Sequence, residues 1–278
     1  MVRIGIVSNN IYANKIFEDL RLKNELLKLN IQADIISWED PTINYDRYRF
    51  LMLRSVWGYQ NRYSDFKKWF SFLQERGIKI YNSVDIVMNN IRKDIQFKIL
   101  SNNNIPHVPT IFKKEKSDLI PITCNMVVKP IISGSGENTF RGSKVNLNVY
   151  DSIFEEQDNG IMIQPYMKDI ENGEYSVIFI DKENTHTMLR YPGVFTEKKR
   201  PCQIFDVPIR VMQLANKVSS IKEYSDALYM RVDIVGTHDP VVMEVELAEP
   251  DLLIKYITDV NIQNAVVRKL AKSVERRM

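Results

Sequence analysis

Apolar positions in the first third of the chain follow two periods in turn. "RIGIVS" (Arg3 to Ser8), "ADIISW" (Ala33 to Trp38), "YRFLMLRS" (Tyr48 to Ser55) and "IKIYNS" (Ile78 to Ser83) are short β-rich runs. Between them, apolar residues recur three and four apart, which is the helical period. "IFEDLRLKNELLKLN" predicts a helix whose stripe is Phe17, Leu20, Leu26, Leu27 and Leu29. "YSDFKKWFSFLQERG" predicts another, with Ser64 as N-cap and Gly77 as its stop. Strands alternating with helices imply a parallel αβ layer, since parallel neighbours need helical crossovers. In such sheets ligands sit beyond the carboxyl ends of the strands, where "RSVWGYQNR" (Arg54 to Arg62) falls.

The pattern then changes. "NNIRKDIQFKILSNNN" predicts a helix, and Pro106 and Pro109 hold "IPHVPT" extended. "MVVKPIISGSGENTFRGSKV" reads as strand, Gly-Ser loop and strand, and "GIMIQPYM" as a further strand. "GEYSVIFIDKENTHTMLRYP" predicts a hairpin turning at Asp181 to Asn184, and a helix follows at Pro208 to Ser219. "ALYMRVDIVGTHDPVVMEVEL" predicts a second hairpin turning at Gly236 to Pro240, and "NIQNAVVRKLAKSVERRM" a basic amphipathic helix. Hairpins replace crossovers, so the fold class is α/β followed by α+β.

Composition narrows the function more than the fold. With 278 residues, 44% hydrophobic and 26% charged, the chain has ample material for a core. A net charge of +3 is too balanced for nucleic acid as the main partner. No apolar run spans a bilayer, and "MVRIGIVSNN" is no signal peptide. Cys124 and Cys202 stand in no metal-binding pattern and read as reduced thiols. A cytoplasmic protein with no membrane partner is expected.

Chemistry concentrates in the last hairpin. Strand alternation puts Glu244 and Glu246 on one face and Met243, Val245 and Leu247 on the other. Two like charges side by side repel unless a cation lies between them, and an oxygen-rich cluster suits Mg2+ or Mn2+. Asp233, across the hairpin, approaches Glu244 and makes a trio. The other reading is an edge strand with a solvated acidic face. Lys129 ends a strand just before Gly134 and Gly136, where backbone N–H groups and an ammonium can cradle phosphate; a plain hairpin turn is the alternative. His107, His186 and His238 read as loop histidines without a nucleophile beside them. Such a chain needs its chemistry carried by a bound reagent, and MgATP is one.

Read in order, "MNNIRKD", "VVKPIISGSGENTF", "IMIQPYMKDIENGEYSVIF", "TMLRYPG", "RVDIVG" and "MEVELAEPDL" resemble the ATP-grasp ligases. The resemblance is to their glutathione-synthetase-like branch, in which D-cycloserine biosynthesis has a member with an element similar to "RSVWGY". It implies an ATP-grasp fold behind an N-terminal αβ layer, with units at residues 1–88, 89–160 and 161–278. It implies ATP and Mg2+ as cofactors, and a carboxylate and an amine, from small molecules or peptides, as substrates joined through an acyl phosphate. A homodimer is compatible with it. Lys93 and Lys129 would contact phosphates beneath the loop Ser133 to Asn138, which includes Gly134, Ser135 and Gly136. Backbone from Gln164 through Tyr166 to Met167 would hold the adenine edge, and Glu174 the ribose. Arg190 and Arg231, with Lys129, would face the transferred phosphate or the acceptor, and Asp233, Glu244 and Glu246 would bind the metal. Arg54, Trp57 and Tyr59 are candidates for the substrate end, core packing being the other reading of the two aromatics. Glu249 is expected to support the loop or the substrate, and Glu197 to Arg200 is either a mobile basic loop or a solvated turn. A kinase, a ligase with another acceptor, or an inactive nucleotide binder remain as alternatives.

Overall fold

The computed structural model describes residues 1–115, 123, 125–134, 136–142, 160–191 and 200–278. Cys124, Ser135 and Glu197 to Lys199 lie outside the described residues.

The N-terminal layer is a four-stranded parallel sheet in the order β2-β1-β3-β4. Its strands are β1 (Val2–Ser8), β2 (Ile31–Ser37), β3 (Leu51–Ser55) and β4 (Ile80–Tyr81), with α1 (Phe17–Lys28) and α2 (Tyr63–Glu75) as crossovers. Gly77, at φ +64°, ends α2 as expected, but Ser64 lies inside that helix, whose N-cap is Arg62.

In α1 the expected stripe is rotated. Phe17, Leu20 and Leu27 are exposed, whereas Glu18 and Asp19 are buried with Leu22 and Leu26. The cause is Arg54 on β3. It is buried and pairs with Glu18 at 3.3 Å and Asp19 at 3.5 Å, and its guanidinium lies over the Tyr229 ring. A buried cation requires buried anions, and that demand outweighs the exposure of three apolar side chains.

The stretch expected as one helix is two, α3 (Val84–Ile91) and α4 (Lys93–Asn102), with Arg92 extended between them. Lys93 therefore opens a helix, and its N–H donates to the Ile131 carbonyl at 3.2 Å. A second sheet, ordered β5-β8-β6-β7, follows: β5 (Ile111–Lys113), β6 (Met126–Pro130), β7 (Phe140–Arg141) and β8 (Ile161–Pro165).

The third sheet is antiparallel, ordered β11-β10-β9-β12-β13. Its strands are β9 (Glu174–Ile180), β10 (Glu183–Arg190), β11 (Cys202–Ile204), β12 (Tyr229–Val235) and β13 (Val241–Glu246), and α5 (Ile209–Ser219) packs on it. His186 is a buried member of β10 and not a loop histidine. Its Nε2 meets the Leu252 carbonyl at 2.7 Å, and burial pushes its pKa down to about 4. The last helix, α6 (Val260–Glu275), buries Val266, Val267, Leu270, Ala271 and Val274 in a core shared with α1, β1 and β9.

Strand β13 is an edge of its sheet, and an edge leaves backbone groups unpaired. Buried amides satisfy them. Asn90 donates to the Val245 carbonyl at 2.7 Å and accepts from Leu247 N–H at 2.9 Å. Gln96 accepts from Val245 N–H at 3.0 Å, and Asn82 donates to the Leu247 carbonyl at 2.6 Å. The strand carrying Glu244 and Glu246 is thus fixed from α3, α4 and the end of β4.

Candidate active site

The three sheets enclose a cleft of about 500 Å³, a size typical of small-molecule sites. Of the residues singled out in the sequence, Trp57, Tyr59, Lys93, Lys129, Ser133, Gly134, Gly136, Gln164, Tyr166, Met167, Glu174, Arg190, Arg231, Asp233, Glu244 and Glu246 all line it. Arg54 does not, being committed to Glu18 and Asp19 beneath α1.

The hairpin β12–β13 builds the acidic wall. Its register sets Asp233 opposite Glu244 and Arg231 opposite Glu246. Between Asp233 and Ile234 the register slips, so Met243 has no partner across the hairpin. Such a bulge turns side chains out of strict alternation. Met243 therefore joins Glu244 in lining the cleft, contrary to the expected division of faces.

Cations separate the carboxylates, so among the described residues no three acids form a ready metal cage. Asp233 is saturated. Its Oδ1 accepts from Ser176 at 2.6 Å and Arg231 at 3.0 Å, and its Oδ2 accepts from Arg190 at 2.7 Å and Arg231 at 2.9 Å. Burial opposes its charge, but Arg190 and Arg231 hold its pKa below the usual range. Glu246 pairs with Arg231 and Glu244 with Lys93, each through Oε1. Burial would raise Glu244, yet Lys93 and Lys129 hold it low. Burial drives Glu246 up to about 8 despite Arg231, with Glu244 and Asp233 adding to the rise. The Oε2 atoms of Glu244 and Glu246 form no bond among the described residues. These oxygens suit a hard cation such as Mg2+, whereas Asp233 could join only by releasing a guanidinium contact.

The opposite wall is basic. The ammonium of Lys129, on β6, forms no ion pair or hydrogen bond among the described residues, and burial, with Lys93 adding to it, lowers its pKa. Beside it the Gly loop turns through Glu137 N–H to the Gly134 carbonyl at 3.0 Å, with Gly136 at φ +72°. Glu137 Oε2 accepts from Gln60 at 3.0 Å, which ties the loop to the turn after β3.

At the end of β8, Tyr166 N–H is already bonded to the Asn125 carbonyl at 2.6 Å. Met167 N–H makes no bond among the described residues, while Gln164 is buried and donates to Thr110 at 2.9 Å. Glu174 accepts from Arg190 at 2.6 Å, and burial, with Asp233 nearby, pushes it up to about 7. At the far end, Trp57 Nε1 donates to the Glu249 carbonyl at 3.0 Å, and Tyr59 and the Glu249 carboxylate line the cleft together. The Tyr59 ring stacks on Phe66 at 4.7 Å, which is the core-packing reading of this residue, although it also lines the cleft. The sequence reading missed Asp251 and Lys255, a 3.3 Å ion pair that also lines the cleft. Their i, i+4 spacing just after "MEVELAEPD" was the available signal.

The chain is similar to proteins of known family and fold. Residues 104–259 match the model of the ATP-grasp domain of prokaryotic glutathione synthetase, and residues 4–82 that of the N-terminal domain of D-cycloserine synthetase DcsG. The cycloserine biosynthesis protein DcsG of Streptomyces lavendulae is 23% identical over 261 residues, covering 83% of this chain and 86% of its own. A crystal structure of D-cycloserine synthetase DcsG superposes with a TM-score of 0.82 at 19% identity, covering 99% of both chains. The ATP complex of D-alanine–D-alanine ligase from Bacillus anthracis gives 0.69 at 18% identity, covering 100% of this chain and 98% of that one.

Proposed function

The chain belongs to the family of the prokaryotic glutathione synthetase ATP-grasp domain, ADP-forming ligases that make amide or peptide bonds, and from that premise we propose its substrates and the roles of its residues. The carboxylate and the amine are carried by small amino-acid-like molecules. The likeness of residues 4–82 to the DcsG N-terminal domain supports this, since that layer supplies Trp57 and Tyr59 to the cleft. The volume of about 500 Å³ also supports it, because a nucleotide must share the space.

One observation carries the reading. Lys129 is a half-buried ammonium with no ion pair or hydrogen bond among the described residues, beside a glycine turn, and the open oxygens of Glu244 and Glu246 lie in the same cleft. A partly desolvated cation without a partner favours the arrival of an anion. ATP phosphates are such an anion, with Lys93 as second contact, the loop Ser133 to Asn138 over them and Met167 N–H at the adenine. Glu174 takes the ribose. Glu244 and Glu246, with Asp233 as the third candidate, would hold Mg2+, which supplies neutralisation of phosphate charge.

A carboxylate is a poor acyl donor because oxide is a poor leaving group. Phosphorylation makes it an acyl phosphate, from which an amine can displace phosphate. Protein groups need only position the partners and balance charge. Arg190 and Arg231, held by Asp233, do that at the transferred phosphoryl group. We place the protein in the cytoplasm, where MgATP is available; among the described residues no helix is long and apolar enough to cross a membrane.

The test is ADP and phosphate release from MgATP by purified protein, with a pool of amino acids, dipeptides and small carboxylic acids. Release of both products that requires a carboxylate and an amine supports the proposal. ADP without free phosphate indicates a kinase and overturns it.

A further inference from the structure

We propose that Glu249 is a catalytic residue of the amine half-reaction: it binds the acceptor's ammonium and takes the proton that must leave before nitrogen attacks. This assignment rests on the ligase reading above. Among the described residues, every other carboxylate lining the cleft already has a cation. Glu174 and Asp233 have Arg190, Glu244 has Lys93, Glu246 has Arg231 and Asp251 has Lys255. Among the described residues Glu249 forms no ion pair. It is therefore the cleft anion left to receive a positive charge from outside.

Its surroundings fix it without neutralising it. Trp57 holds its backbone carbonyl at 3.0 Å, and Tyr59 faces its carboxylate. The charged and titratable groups facing it are Tyr59 from the turn after β3, Lys93 from α4, Tyr229 and Arg231 from β12, and Glu244 and Glu246 from β13. Burial, reinforced by Glu244 and opposed by Lys93, pushes its carboxyl up to about 7. A carboxylate that faces the cleft without a cation of its own can hold an ammonium and accept its proton, as a general base requires.

The step balances. The acceptor enters as an ammonium, one N–H bond breaks, and its proton passes to Glu249. The freed lone pair forms the C–N bond at the acyl carbon and the C–O bond to phosphate breaks. The second nitrogen proton leaves with phosphate as hydrogen phosphate.

Hydroxylamine separates this role from all others, because near neutral pH it is largely uncharged and attacks acyl phosphates to give hydroxamates. Glu249→Gln keeps the size of the side chain. With any donor acid that supports turnover in the pool assay, the variant is expected to form hydroxamate within about threefold of wild type. Its kcat/KM for the amine product should fall at least about thirtyfold, following the 10²–10⁴-fold scale of acid–base catalysis. Hydroxamate formation also reports that the cleft is folded. Equal loss of both products, or loss of neither, overturns the assignment. Wild-type protein that forms neither product overturns the ligase reading itself, and this role with it.

Discussion

Replacing Glu246 by Gln should stabilise the ligand-free protein at pH 8, although it breaks an ion pair with Arg231. The reason is the balance at this site. Burial and the neighbouring carboxylates raise Glu246 from 4.5 to about 8 in spite of Arg231. At about 1.36 kcal/mol per pH unit, ionising it at pH 8 costs up to roughly 4 kcal/mol. Its side chain is 26% exposed, so water and local relaxation reduce this to roughly 2 kcal/mol. The sign follows from linkage. The folded pKa lies above the unfolded one, so the contribution is fully present below about pH 4.5 and is lost as pH rises toward 8. Gln is neutral throughout and avoids that loss, while Arg231 keeps Asp233 at 2.9 Å. Urea unfolding at pH 5 and pH 8 tests it. The two proteins should agree within about 1 kcal/mol at pH 5, and the variant should be ahead by roughly 2 kcal/mol at pH 8. A variant less stable than wild type at pH 8 would refute the reasoning, since the Arg231 pair would then outweigh burial and repulsion.

Glu244→Gln should act in the opposite direction, costing about 3 kcal/mol in urea unfolding because buried Lys93 loses its counter-ion, and it should abolish Mg2+-dependent turnover. Lys129→Ala should leave stability within about 1 kcal/mol of wild type but weaken MgATP binding by roughly 10–100-fold in calorimetry, the value of one or two charge-assisted contacts. Arg54→Met should destabilise by about 3 kcal/mol, leaving Glu18 and Asp19 buried without a cation, yet change MgATP affinity less than about twofold. A large loss of affinity in that variant would return Arg54 to the substrate end.

Local period and turn chemistry made much of the architecture legible. The hairpin carrying Asp233 and Glu244 could be paired from its two strands and the turn between Val235 and Val241. The bulge at Met243 could not, because nothing in "VVMEVEL" marks where an extra residue is absorbed. Arg54 was misassigned because every residue of β3 is buried, and a strand buried on both faces shows no alternation from which to read direction. The face of α1 was misread for the same reason: the partner that buries Glu18 and Asp19 lies thirty-odd residues away, on β3. The break at Arg92 carries no Gly or Pro to announce it. Asn90 resembles a surface amide, yet it shares the helical phase of buried Ile86 and Val87, a signal that it caps an unpaired strand edge.

The central claim is that this cleft activates a carboxylate by phosphorylation. It is tested most directly with a donor acid labelled with oxygen-18 in its carboxyl group, turned over with unlabelled MgATP and an amine. The account predicts released phosphate carrying one labelled oxygen, transferred when the C–O bond breaks. Unlabelled phosphate, with the second label released to water instead, would contradict it.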